Sequence, residues 1–185
     1  MKQVFLLILT LLLTSCFRSP ASSSAQPTVG INQTPNQTPS LVWSVVPQSV
    51  HDGDTIKVER QGQTLKIRFC GIDAPELKQP QGEQARNYLR SLLNQSGNQV
   101  QINPVDTDRY GRTVAEVFRR QQGKLLNVNA EMTEAGWAYY YAQYANHCLQ
   151  KTAIATAETE AKRQKRGVWK NAKSVRPWDW RKNHS

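Results

Sequence analysis

Cysteine is scarce here: three residues in 185, too few for a disulfide scaffold or a four-cysteine zinc site. Long apolar runs are missing too. Val4 to Leu13, broken by Thr10, falls well short of the roughly 18–20 residues that a membrane-spanning helix needs, which excludes a polytopic membrane protein. His51, His147 and His184 are scattered without zinc-ligand spacing. Acidic residues are few: 14 against 24 Lys and Arg, a formal charge of +10. That imbalance predicts attraction to polyanions such as nucleic acid, anionic lipid or anionic wall polymer. The length suits one domain with a tail, and no internal repeat is visible.

The N-terminus has the pattern of an export signal. Lys2 supplies a positive charge, Val4 to Leu13 a short apolar stretch, and Leu13-Thr14-Ser15-Cys16 a small-residue cleavage site. Residues 1–15 are therefore expected to be a signal peptide. The site resembles a bacterial lipobox, which makes Cys16 a candidate for lipidation; the plainer alternative is cleavage near Ser15 and simple secretion. Residues 16–40 are dominated by Ser, Thr, Pro, Gln and Asn, with no charged side chain between Arg18 and Asp52. Such a segment cannot bury enough apolar surface to offset its ordering entropy and reads as a tether.

From Leu41 the pattern changes. Leu41–Val46, Thr55–Glu59 and Thr64–Ile72 read as three strands joined by short turns. Ala85, Tyr88, Leu89, Leu92 and Leu93 fall on one helical face. Gln99–Val105 and Thr113–Phe118 read as two more strands. Leu125, Val128, Met132 and Ala135 mark a second helix stopped by Gly136, and Leu149–Gln164 a third, with a stripe of Leu149, Ala153, Ala157 and Ala161. Periodicity supports a small α+β domain over residues 41–170. The order, five strands with a helix between the third and fourth, matches an OB-fold five-stranded β-barrel with three α-helices. Residues 171–185 form a basic, aromatic tail; from Lys151 onward ten Lys and Arg face three acids. That surface suits either solvent or a phosphate backbone.

Three segments could carry chemistry. Asp52-Gly53-Asp54-Thr55 opens a strand; alone it reads as a hairpin turn. Arg68-Phe69-Cys70-Gly71-Ile72-Asp73-Ala74-Pro75-Glu76 runs out of a strand into a loop stiffened by Pro75. Asp108-Arg109-Tyr110-Gly111-Arg112 is a polar turn. Taken together they offer hard oxygen ligands in Asp54 and Asp73, suited to Ca²⁺ or Mg²⁺. They also offer arginines for phosphate charge and a carboxylate able to activate water, which are the needs of phosphodiester cleavage. Tyr139, Tyr140, Tyr141 and Tyr144 could stack on bases, although some must be core.

These segments, in this order, resemble the staphylococcal (micrococcal) nuclease family, the thermonucleases, over about Leu41 to Trp169. Gly167-Val168-Trp169 and the Arg176-Pro177-Trp178-Asp179-Trp180-Arg181-Lys182 tail look like those of bacterial relatives. The resemblance implies a Ca²⁺-dependent endonuclease that hydrolyses DNA and RNA and leaves 3′-phosphate ends. It implies Asp54 and Asp73 as calcium ligands, the Ala74 backbone carbonyl as a third, and Asp52 acting through water. Arg68 and Arg112 match the phosphate-binding arginines and Glu76 the general base. Arg109 and Tyr110 match contacts to a terminal phosphate. Ala74 stands where the best-known member has Thr, so a hydroxyl contact is lost. The base-stacking aromatic falls at Ala142, with Tyr141 and Tyr144 as stand-ins. An exported, membrane-anchored monomer is expected, with Cys70 and Cys148 as a candidate disulfide pair that spacing alone does not decide. Two other readings remain open: a non-catalytic OB-fold nucleic-acid-binding module, which usually lacks these acids and arginines, and a cationic envelope-binding lipoprotein, which has no use for Arg68, Asp73 and Glu76 together.

Overall fold

A computed structural model describes residues 42–184. The expected signal peptide, Cys16 and the tether lie outside the described residues. Four helices and eight strands follow in the order β1 (Val42–Val45), β2 (Thr55–Arg60), β3 (Gln63–Phe69), β4 (Ile72–Asp73), α1 (Gly82–Asn94), β5 (Gln99–Thr107), β6 (Thr113–Gln121), β7 (Lys124–Asn127), α2 (Val128–Glu134), β8 (Tyr139–Tyr140), α3 (Lys151–Arg163) and α4 (Pro177–His184). Among these described residues no helix is long and apolar enough to cross a membrane.

The strands pair in the order β3-β2-β1-β5-β6, all antiparallel, and β3 then pairs parallel with β6 to close a five-stranded barrel. This is the OB-fold, α+β class. Alternation builds it: Ile56, Val58, Ile67 and Phe69 turn inward, while Lys57, Glu59 and Lys66 face water. Ala85, Leu89, Leu92 and Leu93 of α1, with Val128 and Met132 of α2, join the same core. Pro104 lacks a ladder donor, and the β5–β6 register shifts between Pro104 and Asp106. Such a bulge bends its strand, here just before the Asp108–Arg112 turn.

Four sequence expectations need correction. The third strand does not run through to Ile72. It ends at Phe69, Gly71 adopts a positive φ of 68°, and Ile72–Asp73 pair separately with Tyr139–Tyr140. Leu125 lies in β7, paired with Arg120, not in the second helix; the hairpin turn over Gln122-Gly123 places it there. The third helix buries Ile154, Ala157 and Ala161, while Leu149 is 78% exposed. The tail after residue 170 forms a fourth helix, α4. Pro177 suits a first helical position, Asp179 lies in the first turn and Arg181 and Lys182 in the last, which complements the helix dipole.

Candidate active site

The barrel end where β2 begins and β3 finishes carries the acids. A Cβ on Gly53 would lie 2.7 Å from the Ala74 Cβ and 3.0 Å from the Ala85 Cβ. Glycine at position 53 thus lets the Asp52–Asp54 turn press against the loop after β4. Once there, Asp54 Oδ2 accepts a 2.7 Å hydrogen bond from the Ala74 N–H, and Asp54 Oδ1 accepts one from the Thr55 hydroxyl. The Asp54 N–H donates to Asp52 Oδ1 at 3.1 Å. The two acidic segments are therefore one unit, although 20 residues separate Asp54 from Ala74.

Arg68 binds that unit from β3. Its Nη2 donates to Asp73 Oδ1 at 2.8 Å, its Nη1 lies 3.3 Å from Asp54 Oδ2, and Nη1 also donates to the Phe69 and Ile72 carbonyls. Burial works against the charged guanidinium, but Asp54, Asp73 and Asp52 outweigh it and push the Arg68 pKa up. A second guanidinium arrives from α4: Arg181 donates to Asp73 Oδ2 at 2.7 Å, to Asp73 Oδ1 at 3.2 Å and to Glu76 Oε1 at 2.6 Å.

Even so, burial shifts two of the aspartates upward. Desolvation and the neighbouring Asp54 raise the Asp52 pKa from 3.8 to about 7. Asp73, whose side chain is 1% exposed, is raised to about 6, chiefly by burial, with the Arg181 hydrogen bond opposing. The donors fit a hard divalent cation: Asp54 and Asp73, both hard oxygen ligands, lie on either side of the one Arg68 guanidinium, at 3.3 and 2.8 Å. Among the described residues no three acidic, His or Cys side chains form a ready-made cluster. An ion held by Asp54 and Asp73 would therefore draw the rest of its shell from backbone carbonyl and water.

The Asp108–Arg112 turn lines the same cleft, whose volume is about 940 Å³. Asp108 accepts hydrogen bonds from the Tyr110 and Arg112 N–H groups and a 2.7 Å bond from Arg112 Nε; desolvation works to raise its pKa, but these bonds and the Arg112 charge together outweigh it and hold the pKa below the usual value. Asp108 thereby orients Arg112. Arg109 donates to the Tyr110 hydroxyl at 2.7 Å, and Tyr110 is 68% exposed.

The far wall is aromatic. The Tyr141 N–H donates to the Gly71 carbonyl, which places Tyr141 beside β4. Its ring stacks on Trp178 with centroids 4.5 Å apart and planes 9° from parallel. Tyr144 meets Tyr141 edge-on. Tyr139 is fully buried against Trp169 and Trp178. Cys70 and Cys148 are disulfide-bonded with Cα atoms 5.9 Å apart, tying the end of β3 to the chain just after Tyr144.

Asp52, Asp54, Arg68, Asp73, Ala74, Glu76, Arg109, Tyr110, Arg112, Tyr141 and Tyr144 all line this one cleft. Sequence reasoning missed Trp178 and Arg181 as members. The sequence signal for both is the Arg176–Lys182 segment singled out above, rich in tryptophan and arginine.

Residues 66–171 match the family described as staphylococcal nuclease homologue. A micrococcal nuclease of Shigella flexneri is 37% identical over 136 residues, covering 71% of this chain and 76% of the relative. An uncharacterized endonuclease of Escherichia coli O157:H7 is 36% identical over 146 residues, covering 75% and 90%. Another uncharacterized endonuclease, from Haemophilus influenzae, is 31% identical over 134 residues, covering 72% and 70%.

Proposed function

Because the chain belongs to the staphylococcal nuclease family, we propose that its cleft hydrolyses DNA and RNA in a Ca²⁺-dependent reaction leaving 3′-phosphate ends. We further propose that it does so outside the cytoplasm, anchored to a membrane through lipid on Cys16. Nuclease action on a nucleic-acid substrate follows from the family. The observation that carries the finer reading is the meeting of Asp54, Arg68, Asp73 and Glu76 in one cleft, supplied by two chain segments. A non-catalytic binding module would have no use for that arrangement.

The chain's own residues divide the work. Arg68 and Arg112 place guanidinium charge against the phosphate oxygens, where negative charge grows in the transition state. Arg112 is held for this by Asp108 and Arg68 by Asp73. Glu76, at the partly exposed mouth of the site, takes a proton from the attacking water. The water oxygen bonds to phosphorus, the P–O5′ bond breaks, and the departing oxygen takes a proton from solvent water to leave as a 5′-hydroxyl. The phosphate remains on the 3′ side. Bound Ca²⁺, held by Asp54, Asp73 and the Ala74 carbonyl, would supply further positive charge at the phosphate. Tyr141 and Tyr144 give bases a face to stack on, and Arg109 with Tyr110 meets a terminal phosphate.

End-group analysis of digested single-stranded DNA tests the bond that breaks. Products carrying 3′-phosphate and 5′-hydroxyl are expected; 5′-phosphate with 3′-hydroxyl would overturn the scheme. Membrane fractionation tests the address. Cys16→Ser should abolish acyl incorporation and remove the protein from membranes. A wild-type protein that is soluble outside the cell and lacks acyl mass would mean simple secretion.

A further inference from the structure

Arg181 holds one of the two aspartates to which the cation is assigned. It holds Asp73 Oδ2 at 2.7 Å and Glu76 Oε1 at 2.6 Å, while Arg68 takes Asp73 Oδ1. Both Asp73 oxygens are thus engaged by guanidinium, and a divalent ion cannot gain full use of Asp73 while Arg181 keeps its hold. The two arginines differ in setting. Arg68 is 14% exposed, and its Nη1 is committed to two backbone carbonyls. Arg181 is 42% exposed, and it holds two carboxylates that the proposed reaction needs for other tasks. The same fork that fits a carboxylate fits a phosphate. The helix that carries Arg181 also lays Trp178 on Tyr141, so α4 already forms part of the wall a nucleotide would meet.

Building on the nuclease reading, we propose that Arg181 is a further active-site residue that exchanges partners. In the metal-free chain it neutralises Asp73 and Glu76 and keeps them in place. When a divalent cation takes Asp73, Arg181 turns to a phosphate of the nucleic acid, as a third guanidinium beside Arg68 and Arg112. Glu76 is released to accept a proton by the same exchange. Metal and substrate are thereby coupled: the cation frees the arginine that the substrate needs.

Two measurements on the full chain test this, with Arg181→Ala and the uncharged but polar Arg181→Gln compared with wild type. Calorimetric titration with Ca²⁺ alone, without nucleic acid, should show about tenfold tighter binding in both variants, the scale of losing a charge-assisted competitor on a part-exposed side chain. At saturating Ca²⁺, the KM for single-stranded DNA should rise about fivefold or more, because a phosphate contact is gone. Lys182→Ala removes the neighbouring positive charge without touching Asp73 and should alter Ca²⁺ affinity much less. Unchanged or weaker Ca²⁺ binding in the Arg181 variants, an equal gain in Lys182→Ala, or an unchanged KM would each overturn the exchange. A wild-type chain that neither binds Ca²⁺ nor cleaves with it would instead overturn the nuclease reading itself.

Discussion

Asp52 shows how much a single side chain reveals about the cleft. Its pKa is raised from 3.8 to about 7 by desolvation and by Asp54. A carboxyl raised in the folded state stabilises the fold while it is protonated. That contribution is complete below about pH 4 and is lost as pH rises through about 7. Asp73, raised to about 6, acts in the same direction. The metal-free chain should therefore lose stability between about pH 4 and pH 7. Asp52→Asn keeps an oxygen for the Asp54 N–H and removes the buried repulsion. Thermal melts in chelator should show the variant more stable than wild type at pH 8 and nearly equal to it at pH 4; an equal difference at both values would contradict the electrostatic origin. Arg68 belongs to the same scale. Replacing it with Ala should lower turnover roughly 10²–10³-fold, as expected for a key transition-state donor. Near-normal turnover in Arg68→Lys would speak against a fork-shaped contact. Glu76→Gln should depress kcat more than it changes KM.

Among the elements, the turn between β1 and β2 sets the geometry of the acids. Gly53→Ala would drive a methyl into the Ala74 and Ala85 methyls, which have no rotamer to retreat to. A loss of about 1–3 kcal/mol in denaturant unfolding is expected for such overpacking. Turnover should fall further than stability, because the push separates Asp54 from Ala74. The strands β2 and β3 and the helix α1 were legible in the sequence because their inward residues repeat at the period of the element. The acids and Arg68 were legible because they crowd into two short segments. What was not legible depends on partners far along the chain. Two-residue strands such as Ile72–Asp73 and Tyr139–Tyr140 have no period to detect and exist only as a pair. Leu125 sits in a hairpin with β6, and four residues of strand running straight into α2 imitate one helical face. Arg181 meets Glu76 and Asp73 across 105 and 108 residues. Nothing local distinguishes it from the other cations of the tail.

At the scale of the whole molecule, the barrel presents an aromatic cleft lined by carboxylates and arginines on a chain of charge +10. The Cys70–Cys148 bond secures the cleft's aromatic wall to the barrel. It closes 78 residues of sequence and lies in a small buried cluster with Ala145. Reduction should destabilise the fold by about 2–4 kcal/mol in denaturant titrations, the usual range for such a cross-link. An unchanged unfolding midpoint after complete reduction would show that the wall is held by packing alone. If the buried Asp54 and Asp73 make this cleft a calcium-dependent nuclease, cleavage of single-stranded DNA by the purified chain must differ between Ca²⁺ and excess chelator. Rapid cleavage in Ca²⁺ and none in chelator, with activity lost in Asp54→Ala and Asp73→Ala, is the expected result; undiminished cleavage in chelator would contradict it.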